Sequence, residues 1–95
     1  MNTDEFIEFS MQWGVTLPKA GAWMDLLPLI ERVCEAKGGY FIFKIDGARP
    51  SGRYTFTVNL PYPADVVLRK DTDNFDEGFA YVVRELRSTG IRPGG

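Results

Sequence analysis

YFIFKIDGARPSGRYTFTVNL, residues 40–60, is the stretch on which the fold turns. Its two ends alternate. In YFIFKI, Phe41, Phe43 and Ile45 fall on one side, with Tyr40, Ile42 and Lys44 on the other. In RYTFTVNL, Tyr54, Phe56, Val58 and Leu60 face one way, and Arg53, Thr55, Thr57 and Asn59 the other. A period of two is the signature of half-buried strands. Between them, DGARPSGR (46–53) holds Asp46-Gly47 and Ser51-Gly52, which supply turn chemistry, and Pro50, which stiffens the tip. The reading is a β-hairpin with a loop of about six residues, longer than a tight two-residue turn and so roomy enough for function. VVLRK (66–70) reads as a third strand, its buried side undecided, after the break PYPAD.

Helices flank this core. Phe6, Phe9 and Trp13 recur at helical spacing over 3–13, with Asn2 or Thr3 as cap and Gly14 as stop. Trp23, Leu26, Leu27, Ile30, Val33 and Cys34 share one face of a second helix. Pro28 is tolerated only in a first turn, so the helix is expected to start at Asp25 as cap, with Trp23 folding back as a staple and Gly38-Gly39 as the end. Phe75, Phe79, Val82, Val83 and Leu86 form the stripe of a last helix, capped by Asp73 or Asn74 and closed by Gly90. The expected fold is α+β: a three-stranded antiparallel meander covered on one face by helices, in the order α-α-β-β-β-α. Residues 1–90 are expected to form a single globular domain, with 91–95 as a flexible tail.

Composition narrows the function. The 95-residue chain is 44% hydrophobic and carries a net charge of −2. It has no histidine, which removes His-based acid–base and nucleophile chemistry and nearly every zinc site. Cys34 is the only cysteine, so no internal disulfide forms. On an apolar helical stripe it reads as an inert, buried thiol. Apolar runs fall far short of the roughly 20 residues that span a bilayer, and no secretory signal is visible. A cytoplasmic protein without membrane association is expected.

The charges are unevenly spread. Residues 1–36 carry −4, residues 37–70 carry +4 and residues 71–95 carry −2. The middle third therefore offers the candidate site: the exposed sheet face and hairpin, with Tyr40, Lys44, Arg49, Arg53, Thr55, Thr57 and Arg69. Such a face takes an acidic protein surface or phosphates through charge-assisted hydrogen bonds; an ordinary solvated sheet face has the same composition. DTDNFDEG (71–78) fails as a calcium loop, because Phe75 and Asp76 stand at its fifth and sixth positions. A helix cap with an acidic first turn accounts for it. No metal or cofactor site is expected.

From the second helix on, the order α-β-β-β-α resembles that of double-stranded-RNA-binding domains in topology alone. That resemblance implies lysines at the start of the last helix, where Asp73, Asn74, Asp76 and Glu77 stand instead and would repel RNA. GVTLPKAGAW (14–23) has a helix-turn-helix flavour but brings Lys19 alone. Trp13 and Trp23 read as core, staple or interface anchors. Gly94-Gly95 is similar to the tail of ubiquitin-like proteins, although the element order is not theirs. In size, mild acidity and missing catalytic residues the chain is similar to small phage or bacterial inhibitors of the immunity or anti-defence kind. The expected function is a non-enzymatic protein that binds a protein partner; the alternative is a nucleic-acid-binding module using the basic hairpin and sheet face.

Overall fold

The computed structural model describes residues 4–17, 23–61 and 65–93, with the side chains of all these except Glu5 and Trp23. Six regular elements follow the expected order: α1 (Asp4–Gln12), α2 (Leu27–Lys37), β1 (Tyr40–Ile45), β2 (Tyr54–Leu60), β3 (Val66–Thr72) and α3 (Phe75–Ser88). The strands form one antiparallel sheet in the order β1-β2-β3, so β2 is central and both neighbours are edges. The expected α+β meander is the fold observed. The Asn2 or Thr3 cap, the Trp23 staple, the helix-turn-helix turn at Lys19–Ala22 and the Gly94-Gly95 tail lie outside the described residues or side chains.

Register follows from side-chain polarity. Phe43 stands opposite Phe56 and Phe41 opposite Val58, while across β2 Leu68 faces Val58 and Val66 faces Leu60. These residues share the helix side of the sheet. A slip of one residue would turn every one of them to the other face. α3 lies over β2 and β3 and α2 over β1, with α1 against α3. The centre is an aromatic cluster around fully buried Phe56, whose ring centroid lies 5.0 Å from that of Phe43 and 5.3 Å from that of Phe79. Phe75 meets Phe43 edge-on at 5.3 Å, the geometry that ring quadrupoles favour. Gly78 is what lets α3 come this close: a Cβ there would overlap the Phe56 ring.

Several local expectations change or are narrowed. Asp25 does not cap α2: a 3₁₀ turn over Trp23–Leu26 runs straight into the helix, Leu26 takes the cap position with helical angles, and Pro28 sits in the first turn. Ile45 shares the helix side, yet at the hairpin end of an edge strand it is 62% exposed rather than buried. Ile91, expected in a tail, is buried as part of the core. Leu17 is buried too, although the connector it belongs to has poor periodicity. Trp13 is a core residue with the Lys37 ammonium 5.9 Å from its ring, so it is no surface anchor.

Candidate protein-docking face

Among the described residues no helix covers the second face of the sheet, and the register lays it out as three cross-strand rows. Tyr40, Asn59 and Val67 form the first; Ile42, Thr57 and Arg69 the second; Lys44, Thr55 and Asp71 the third. The rows differ in character. Toward the first lie three exposed apolar side chains, Tyr40 at 51%, Ile42 at 50% and Val67 at 63%. Toward the third, polar groups close on one another.

Asp71 is the node of that polar end. Its Oδ1 accepts a 2.7 Å hydrogen bond from the Thr55 hydroxyl. Its Oδ2 lies 3.5 Å from the Arg69 guanidinium and 3.7 Å from that of Arg49, which folds back from the hairpin tip. The Thr55 hydroxyl, ahead of the charges of Arg69 and Arg49, holds the Asp71 carboxyl below its ordinary value of 3.8, against an opposing push from desolvation. Asp73 is lowered likewise, first by the Gly52 backbone N–H and then by that of Arg53, which donates to its Oδ1 at 3.2 Å. Lys44 lies 3.9 Å from Asp46.

The hairpin is therefore held at several points. The Asp46 N–H donates to the Arg53 carbonyl at 2.8 Å and closes the loop. Asp46 Oδ1 then accepts from the Ala48 N–H at 3.0 Å, an Asx turn. Gly52 takes a positive φ of 62°, where a Cβ would be strained.

These contacts revise the site drawn from sequence. Tyr40, Lys44, Thr57 and Arg69 lie on the open face as expected. Thr55 does not face solvent: it is 7% exposed, with its hydroxyl engaged by Asp71. The Arg49 guanidinium reaches Asp71, whereas Asp73 accepts the backbone N–H of Arg53 and feels the charges of both arginines. The positive middle third is a property of the sequence more than of the surface. β3 runs back beside β2 and then meets α3, so the acidic residues that follow position 70 land among the basic ones that precede it. Even Lys70, on the helix side, reaches Glu77 at 3.4 Å.

Val67 and Asp71 were missing from the sequence-derived site. The signal was present: 67, 69 and 71 alternate with 66, 68 and 70, and only the choice of phase was open. The DTDN segment is fully engaged without a metal. Thr72 Oγ1 accepts from the Asn74 N–H at 3.0 Å, and Asn74 caps α3 by accepting from the Glu77 N–H at 3.0 Å. Among the described residues no three His, Cys, Asp or Glu side chains are grouped to hold a metal ion, and no helix is long and apolar enough to cross a membrane. Burial pushes the Cys34 thiol above its ordinary value, so the nucleophilic thiolate is disfavoured. No protein-family model matches the chain, and neither a curated protein nor a solved structure shows significant similarity to it.

Proposed function

We propose that this is a non-enzymatic protein that docks a protein partner on its open sheet face, in the manner of a small inhibitor. One observation carries the reading: Tyr40, Ile42 and Val67, each at least half exposed, lie in adjacent rows of a sheet face that none of the described helices covers. Burying such residues in water-free contact yields roughly 25 cal/mol per Å² of apolar surface. The paired charges at the other end supply a polar rim, which sets orientation and association rate more than affinity. The missing histidines and the disfavoured Cys34 thiolate support a role without turnover. The Asp71 carboxylate beside Arg49 and Arg69 counts against a phosphate-binding track, since a cation already paired releases fewer counterions on binding nucleic acid.

The test is affinity capture from an extract of the source cells with the wild-type protein and the Val67→Lys variant. Val67 lies on β3 and points away from the core, so the variant keeps its fold. A stoichiometric protein held by wild type across several salt concentrations and lost with Val67→Lys supports the reading. No stoichiometric protein, or one indifferent to the substitution, overturns it.

A further inference from the structure

Among the described residues both edges of the sheet are unpaired, and they are not alike. β3 carries Arg69, Lys70 and Asp71 within its seven residues. Charges of this kind are how edge strands resist pairing with other chains. β1 has Lys44 alone, with no proline and an unbroken ladder to β2. The ladder fixes which backbone groups of β1 point outward. The Asp46 N–H bonds to the Arg53 carbonyl, so the pairs 44/55, 42/57 and 40/59 are the hydrogen-bonded ones. The alternate residues Phe41, Phe43 and Ile45 aim their N–H and C=O groups away from β2. On the helix side of this edge a cleft opens between α2 and β1, lined by Leu27, Ile30, Cys34 and Phe41 together with Glu31 and Glu35.

We propose that this edge docks a second copy of the chain, β1 against β1, antiparallel about a two-fold axis through Phe43. The strand's own sequence is the complement the edge requires. Residues directly opposite in an antiparallel pair share a face, so like parity must meet like parity. Centred on Phe43, the pairing sets Phe43 on its counterpart, Phe41 on Ile45 and Ile42 on Lys44. All outward groups of the three residues then bond, about six hydrogen bonds in total. Ile45, 62% exposed in the single chain, is covered beside Phe41 at the mouth of the cleft. No like charges oppose one another within the strand pairing. Centring on Lys44 would set lysine on lysine, which is destabilising. Centring on Ile42 would set Ile45 against Gly39, whose N–H is already bonded to the Cys34 carbonyl at 2.9 Å. The joined molecule carries one continuous sheet of twice three strands, its helices on one side.

The experiment is sedimentation velocity of the full chain from micromolar to millimolar concentration, with amide protection measured residue by residue at each end of the range. A species of twice the 10.7 kDa chain mass should grow with concentration. The amides of Phe41, Phe43 and Ile45 should gain protection with it, while that of Val67 should not. Ile45→Lys and Ile45→Pro, neither of which removes a core side chain or a bond to β2, should each weaken the dimer at least about tenfold, and Val67→Lys should leave it intact. A monomer throughout overturns the proposal. So does a dimer indifferent to both Ile45 variants, or one that leaves the three amides unprotected. Protection gained only on adding an extended peptide of another protein would give the edge a different occupant and overturn it equally. Because Val67 and Ile45 are far apart in the register, failure here is distinguishable from failure of the docking face.

Discussion

The two faces of the sheet are built from the same strands and are organised by different forces. On the helix side, four phenylalanines pack ring against ring around a fifth, Phe56, and each gains from contact with its neighbours. On the open side, Asp71 gathers Thr55, Arg49 and Arg69 at one end while Tyr40, Ile42 and Val67 stay in water at the other. The first arrangement is close-packed, so a change of volume is felt at once. The second is electrostatic and screened, so its members are separable. Stability belongs to the first face; the second is the one we propose for recognition.

The sharpest way to break this division is to remove the hub of the packed face. Phe56→Ala should cost about 3–5 kcal/mol in chemical denaturation, whereas Val67→Ala on the open face should stay within about 0.5 kcal/mol. Similar losses at the two positions would erase the distinction. Gly78→Ala is the next test. At an exposed helical site this change stabilises by up to about 1 kcal/mol, but here the added methyl meets the Phe56 ring, and a net loss of about 1–3 kcal/mol is expected. Stabilisation would show that α3 does not approach β2 so closely. The gentlest probe is Thr55→Val, read by NMR titration: the Asp71 carboxyl should move up toward its ordinary value while Asp73 stays put. Both carboxyls sit below their unfolded value of 3.8, so their contribution is complete above that pH and is lost as the pH falls through their lower folded values. Wild type should therefore lose stability in strong acid below about pH 4, with Thr55→Val losing less there.

Much of the fold was legible because alternation and helical spacing report burial directly. The β1 and β2 residues alternate without ambiguity, and Phe75 to Leu86 mark α3 by their spacing. What sequence hid was anything set by a partner distant along the chain. The 3₁₀ entry to α2, the phase of β3 and the core places of Leu17 and Ile91 all depend on tertiary contacts that local periodicity does not encode. The candidate site was half legible for the same reason. The basic residues of 37–70 were visible, but their neutralisation arises from β3 returning beside β2, which brings Asp71 within reach of Thr55, sixteen positions earlier in the chain.

DGARPSGR has the composition of a mobile loop, yet Asp46, Asp71 and Asp73 hold it at its base, tip and exit. A segment already fixed has little freedom left to lose when something binds it. It also resists the local unfolding that a protease needs before it can cut. The hairpin thus behaves as a stiff extension of the sheet, and a partner that meets it meets a shape rather than a chain.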